Sequence, residues 1–298
     1  VPQIHYNSYR HTDEAVFSIL IPSWNNVDLL RLCVESIRKN SRYQHQIVLH
    51  INEGVDGSRE WAKQAEIDHT YSSENCGVCY AVNAAFSLAV SDYIVYMNDD
   101  MYACPDWDYY LMEEINAVKN NYFFFSSTCI EPKDVGKRCA LVPWSFGRNP
   151  KEFDEEELLK SYDTYQYKDW NGASWPPNVV HRRLWELVGG YSTEFFPGFY
   201  SDPDFAMKLW HAGVRNFKGV ANSRVYHFME SSTNKLKRRK VKQANMLFLN
   251  KWGMTARMFN KHFLKMGTTY TGLLPEPEYD LSFKIDQLRC KLKKLTQS

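Results

Sequence analysis

Tyr93-Ile94-Val95-Tyr96-Met97-Asn98-Asp99-Asp100 carries an apolar, strand-forming run directly into two adjacent carboxylates. Two carboxylates on a rigid strand end are suited to holding a divalent cation. Upstream, Val16-Phe17-Ser18-Ile19-Leu20-Ile21-Pro22 reads as a strand apolar on both faces, as a buried parallel strand should be. A helix follows, with Val27, Leu30, Val34 and Ile37 on one face and Asn25 or Asn26 as its cap. A second strand, Gln46 to Ile51, ends in the turn Asn52-Glu53-Gly54-Val55-Asp56-Gly57-Ser58, where Ser58 caps a short helix. Another helix carries Val78, Ala81, Val82, Ala85, Phe86 and Ala89 on one stripe and leads to the Tyr93–Met97 strand. Strands alternating with helices, joined by right-handed crossovers, predict an α/β fold around a mostly parallel sheet. Ligands bind such sheets at the carboxyl ends of the strands, where Pro22–Asn25, Asn52–Ser58 and Asn98–Asp100 all fall.

Beyond residue 105 the spacing predicts a helix from Asp106 to Lys119 and an apolar run over Tyr122–Ser127. The aromatic, acidic stretch Pro132–Trp170 lacks periodicity and reads as a functional or mobile loop. Phe199-Tyr200-Ser201-Asp202-Pro203-Asp204-Phe205 supplies a second acidic cluster opening a helix that runs to His211, and Tyr226-His227-Phe228 adds an imidazole. One acidic site for a cation and another for a base imply a metal-assisted transferase. From Ser231 the chain turns basic and helical, through Lys235-Leu236-Lys237-Arg238-Arg239-Lys240 and Leu288-Arg289-Cys290-Lys291-Leu292-Lys293-Lys294-Leu295.

With 298 residues the chain can bury a large core. Its 36 basic and 35 acidic residues leave a net charge of +1, so no global field selects nucleic acid. No stretch approaches the roughly 20 apolar residues of a spanning helix, and the first residues do not read as a signal peptide. Seven scattered cysteines suit a reducing, cytoplasmic setting better than a disulfide framework. Cys76-Gly77-Val78-Cys79 lacks the second ligand pair that zinc would need and reads as the first turn of a helix. The basic tail reads as a solvated helix face, with peripheral contact to an anionic membrane or a partner as the alternative.

Over about residues 15–230 the chain resembles glycosyltransferase family 2, the inverting nucleotide-sugar transferases of the GT-A fold. Phe17 through Pro22-Ser23-Trp24-Asn25 is similar to the family's opening strand and its Pro-x-x-Asn turn. Asn52–Ser58 resembles the acidic turn that reads the nucleotide base, a role that falls to Glu53. Asn75, Gly77 and Asn83 match the family's Asn-x-Gly helix start, and Asn98-Asp99-Asp100 stands where relatives carry Asp-x-Asp. The resemblance therefore implies Asp100 as metal ligand and Asp99 as ribose or metal contact, with Asn98 replacing the first acid. Ser201-Asp202 matches a Glu-Asp pair that has lost its Glu, so Asp202 inherits the general base, with Asp204 as substitute and acceptor contact. His227 resembles the histidine that completes the metal site, with Ser231 and Ser232 close behind it. The implied organisation is an N-terminal arm (1–14), a GT-A catalytic domain (15–230) and a basic helical C-terminal extension (231–298). Within the catalytic domain, residues 15–105 form the nucleotide-binding half and 106–230 the acceptor-binding half.

The chemistry asks for these residue types. A departing nucleoside diphosphate, UDP in this reading, needs its charge neutralised, and one carboxylate with one imidazole suits Mn2+ at least as well as Mg2+. The acceptor, a glycan or other hydroxyl compound, must lose a proton as it attacks, and Trp175 is a candidate wall for its sugar face. The run Lys235–Lys240 is placed to fold over the diphosphate. A sugar-nucleotide pyrophosphorylase would need a glycine-rich basic loop after the first strand, and Ile21–Asn25 has neither glycine nor lysine. A dinucleotide oxidoreductase would need GxGxxG, which follows no strand here. The remaining alternative is a carbohydrate- or nucleotide-sugar-binding protein of the same fold without catalysis. Oligomeric state, donor sugar and linkage have no signature in the sequence.

Overall fold

The computed structural model describes residues 2–9, 14–134, 136, 139–229 and 238–296, except for the side chain of Arg238. Among them eleven strands form one sheet. They are β1 (His5–Asn7), β2 (Phe17–Trp24), β3 (Gln46–Asn52), β4 (Asp68–Ser72), β5 (Tyr93–Tyr96), β6 (Met101–Ala103), β7 (Phe123–Ile130), β8 (Ala140–Leu141), β9 (Trp170–Asn171), β10 (Asn178–His181) and β11 (Asn216–His227). Their order is β1-β4-β3-β2-β5-β10-β7-β11-β6, with β8 beside β7 and β9 beside β11. Strands β4, β3, β2 and β5 are mutually parallel, and β7 runs parallel to β11. Antiparallel β10 joins the two groups, and antiparallel β1 and β6 close the edges. This is the mostly parallel α/β sheet expected.

The crossovers are α1 (Val27–Asn40), α2 (Ser58–Gln64) and α3 (Gly77–Phe86), followed by α4 (Trp107–Ala117), α5 (Glu155–Ser161), α6 (Arg182–Val188) and α7 (Ser201–His211). Period-two alternation splits each central strand between two cores. Leu20, Val48, Ile94 and Tyr96 face a core with α3 and α7, while Ile19, Ile21, Leu49, Val95 and Met97 face one with α1 and α4. Helices α8 (Arg238–Trp252), α9 (Ala256–His262) and α10 (Leu281–Leu295) form the helical extension. Phe248 and Phe259 join Phe205 and Trp210 in the first core, so the extension shares the core of the sheet domain.

Several local expectations are corrected. The strand series contains β4, whose sequence Asp68-His69-Thr70-Tyr71-Ser72 is too polar to read as a buried strand. Asn26 occupies the N-cap position of α1, but its side chain makes no capping bond. Instead the Asp56 carboxylate accepts from the amides of Val27 (2.7 Å) and Ser58 (3.1 Å), so one side chain fastens the starts of α1 and α2. Ser58 is the first residue of α2, and left-handed Gly57 precedes it. The stretch Pro132–Trp170 holds α5 and two short strands, and so is not a continuous loop. Cys76 and Cys79 do stand at the start of α3.

Candidate active site

The strand order reverses between β2 and β5, the point where open α/β sheets bind ligands. A cleft of about 310 Å³ opens there, between the ends of these strands, the start of α3 and the start of α7. Pro22, Ser23, Trp24, Asn75, Gly77, Asp99, Asp100, Asp202 and His227, all anticipated, line it. Strand β2 contributes Pro22 to Trp24 because it runs on past its pairing with β5, which ends at Leu20, while β3 still supports it through Trp24. Gly77 is required by close approach: its φ is +73°, and a Cβ there would lie 2.7 Å from the Phe196 ring and 3.0 Å from the Pro197 backbone. The Val78 amide donates to the Pro197 carbonyl at 2.8 Å, fixing the 196–199 loop over α3.

Asp99 accepts a hydrogen bond from the Ser23 hydroxyl at 2.7 Å. Burial and the adjacent Asp100 carboxylate push its pKa up to about 7, against the pull of that hydroxyl. Asp100 is buried, with Oδ2 lying 3.4 Å from His227 Nε2. The other ring nitrogen, Nδ1, lies 3.0 Å from Glu131 Oε1. Burial opposes charge on the His227 ring, but the Asp100 and Glu131 carboxylates outweigh it and push the pKa up to about 9. Asn98 accepts from the Tyr96 hydroxyl at 2.9 Å, a neutral role consistent with its replacing an acid.

Asp202 is half-buried in the first turn of α7, where the helix dipole favours an anion. It lines the cleft and also an adjoining cavity of about 610 Å³. Trp170, Trp175, Cys129, Glu131 and His227 form much of that second cavity's wall, which places Trp175 beside the cleft and outside it.

Four anticipated residues face elsewhere. Asp204 is fully buried and points away from both cavities: Ser192 Oγ (2.6 Å) and Trp252 Nε1 (2.8 Å) donate to it, and Lys251 Nζ lies at 2.9 Å. It ties α7 to α8 and has no path to an acceptor. Asn83 accepts from the Tyr191 amide (2.8 Å) and donates to its carbonyl (2.7 Å), so both ends of its amide are spent on the fold. Asn25 donates to Glu53 Oε2 at 2.8 Å and accepts from the Val55 amide, bracing two strand-end loops against each other. Neither Asn25 nor Glu53 lines the cleft. Lys235, Lys237, Ser231 and Ser232 lie outside the described residues, whereas Lys240 sits over the Phe196 ring at 5.3 Å.

Sequence reading missed Glu131 and Trp170 as site residues, and named Asn52 and Phe199 only within longer clusters. Glu131 had a usable signal: it is a carboxylate directly after the buried strand β7, as Asp99 and Asp100 come shortly after β5. Cys129, Glu131 and His227 place one potential metal-ligating atom each within 4.8 Å of one another.

The family described as Glycosyl transferase family 2 matches residues 18–167, half of the chain. That match covers the Asp99-Asp100 corner and stops before Asp202 and His227. Hyaluronan synthase of Pasteurella multocida is 22% identical over 224 residues, covering 74% of this chain and 21% of that protein. The chain thus spans about a fifth of this relative's length. Among solved structures, S. aureus TarS 1–349 in complex with UDP superposes with a TM-score of 0.53 at 13% identity, covering 79% of this chain and 66% of that one. The complex of TarS 1–349 with UDP-GlcNAc gives 0.52 at 12%, covering 92% and 79%. At such identities these likenesses speak for the fold, which is GT-A. By the family match and by the strand-end carboxylates it contains, the chain belongs to glycosyl transferase family 2.

Proposed function

We propose that this chain is an inverting glycosyltransferase that moves a sugar from a nucleoside-diphosphate donor to a hydroxyl acceptor. The observation that carries the reading is that Asp202 and His227 line both cavities. A donor in the cleft and an acceptor against the tryptophan wall would therefore meet between them. A UDP-type donor is supported by the likeness to TarS, which has been solved with UDP and with UDP-GlcNAc. Residues 15–105 would hold the nucleotide and 106–230 the acceptor.

The donor set fits a divalent cation. Asp100 Oδ2 and His227 Nε2 are 3.4 Å apart, a spacing that suits two ligands at about 2.1 Å from one ion. Glu131 on the far ring nitrogen orients the imidazole toward that position. Oxygen with one nitrogen favours Mn2+, with Mg2+ as substitute. When bound, the cation would neutralise charge on the leaving diphosphate. Ser23 holds Asp99 for a ribose or metal contact. Asp202 would take the acceptor's proton as its oxygen attacks the anomeric carbon, a contribution of about 10²–10⁴-fold. One base and direct displacement give inversion. The scattered spacing of the seven cysteines along the sequence supports a reducing, cytoplasmic setting.

The test is manganese-dependent release of free nucleotide across a panel of nucleotide sugars. Asp100→Ala should abolish metal-dependent donor binding. Unchanged donor affinity in saturating manganese removes Asp100 from the site, and tight binding without turnover for every donor and acceptor leaves the binding-only alternative.

A further inference from the structure

Helix α10 is held to the protein by one face. Phe283 and Cys290 are buried against Leu249 and Met258, and Asp286 pairs with Lys261 (2.7 Å) and His262 (3.0 Å). At 3.6 residues per turn these three positions lie together. The opposite face carries Leu281, Ile285, Leu288, Leu292 and Leu295, each between 42% and 74% exposed. Their spacing of four, three, four and three residues keeps all five on a single stripe over a helix about 22 Å long. Five large aliphatic side chains left this exposed to water are costly.

The residues beside the stripe indicate what covers it. Lys284 and Lys291 border one edge, Arg289 and Lys293 the other, and all four are exposed. The one acid in α10, Asp286, pairs with Lys261 and His262 and, on its other oxygen, with Arg289 at 3.1 Å, which leaves Lys284, Lys291 and Lys293 as the edge cations without an acidic neighbour in the helix. An apolar stripe between two rows of cations matches the boundary of an anionic bilayer, where leucines enter the acyl region and lysines reach back to the headgroups. A second copy of the helix fits poorly, because pairing the stripes would set Lys284, Arg289 and Lys291 against the same cations.

We propose that α10 is an interfacial membrane anchor that lays its leucine stripe in the surface of an anionic bilayer and holds the sheet domain there. No helix among the described residues is long and apolar enough to cross a membrane; an amphipathic helix such as α10 binds reversibly in the plane of the surface. The proposal is independent of the reaction assigned to the cleft.

The test is flotation of the whole chain with vesicles of phosphatidylglycerol and phosphatidylcholine in equal parts, compared with phosphatidylcholine alone, in about 0.1 M salt. Binding should be stronger to the anionic vesicles by about fivefold for each cation engaged. Leu288→Ser with Leu292→Ser should weaken it about 100-fold, since burying the exposed half of each leucine in the bilayer accounts for roughly tenfold. The thermal midpoint should fall by only a few degrees, because both side chains are already about half exposed in the folded protein and serine is only a slightly poorer helix former than leucine. Three results would overturn the proposal. One is no flotation with either vesicle at millimolar lipid; another is flotation unaffected by the double substitution. The third is sedimentation as a dimer that the same substitution disperses, which would assign the stripe to a second copy.

Discussion

Two aspartates on α7, two residues apart, should fail in opposite ways. Positions i and i+2 of a helix point about 200° apart, and the structure uses that divergence: Asp202 faces the cavities and Asp204 faces α8. Asp202→Asn keeps the size of the side chain but removes its charge and basicity and exchanges one acceptor oxygen for an NH2 donor. Stability should stay within about 0.5 kcal/mol of the parent. Turnover should fall by about 10²–10⁴, or roughly 3–5 kcal/mol in the barrier. Asp204→Ala strands the Trp252 indole and deprives Lys251 of one of its two carboxylates, Glu194 at 2.8 Å remaining. Breaking a buried pair of this kind costs about 3–5 kcal/mol, a large part of the roughly 5–15 kcal/mol that a folded domain commands. Urea unfolding followed by tryptophan fluorescence reads the stability, and nucleotide release at saturating donor and manganese reads the turnover. An Asp202→Asn enzyme within threefold of normal turnover would refute the assignment of the base. So would an Asp204→Ala protein as stable as the parent, since the geometry that turns Asp204 away from the site would then be wrong.

Glu131→Gln should weaken Mn2+ binding by about 10–100-fold in calorimetric titration of the donor-free protein, because the carboxylate that orients the His227 ring is lost; undiminished affinity would detach Glu131 from the site. Gly77→Ala should destabilise by about 2 kcal/mol or more, since alanine at φ +73° pushes its Cβ into the Phe196–Pro197 loop; an unchanged urea midpoint would deny that contact. His50 is buried and its pKa is pushed down to about 4, so the folded protein keeps the ring neutral while the unfolded chain protonates it near pH 6.5. Stability from this group is therefore full above pH 6.5 and declines as pH falls toward 4. The stability gap between the parent and His50→Gln should narrow by about 3 kcal/mol from pH 7 to pH 4, and a gap independent of pH would show the ring to be solvated.

The parts of the fold legible in sequence were those whose burial is apolar. Strands β2, β3 and β5 lie under helices on both faces, so they read as runs of valine, isoleucine and leucine, and the polar clusters ending them marked the cleft. Strand β4 escaped because its burial is polar. His50 bonds Thr70 (2.7 Å) and Ser72 (3.2 Å), and Asp68 accepts from Gln46 (2.6 Å), so a hydrogen-bonded layer replaces aliphatic packing. Strand β11 hides charge in the same way. Lys218 is ion-paired to Glu114 and Asp169, and the Arg224 guanidinium donates to the carbonyls of Ala221, Tyr162 and Tyr165. Periodicity has no means of separating such buried charges from a solvated surface. Asn83 shows the converse, a residue in a recognisable motif whose amide is fully engaged by Tyr191, 108 positions away.

The central constellation is fixed by strand register, which explains why only part of it could be seen in sequence. Strand β6 pairs antiparallel with β11 so that Met101 faces His227, and the Phe228 amide donates to the Asp100 carbonyl at 3.0 Å. That ladder brings Asp100 and His227 into contact although 127 positions separate them. On its other side β11 runs parallel to β7 with Tyr226 opposite Ile130, so the next step sets His227 beside Glu131. Because side chains alternate faces along a strand, slipping either ladder by one residue would turn the imidazole to the opposite side of the sheet. Asp100 was legible because an apolar strand leads directly into it. Glu131 follows the same kind of strand, but its meaning depends on a neighbour supplied by register. The strand register therefore holds the three side chains together, and if they form the proposed metal site, damage to the β6–β11 pairing should cost metal affinity as surely as removal of a ligand.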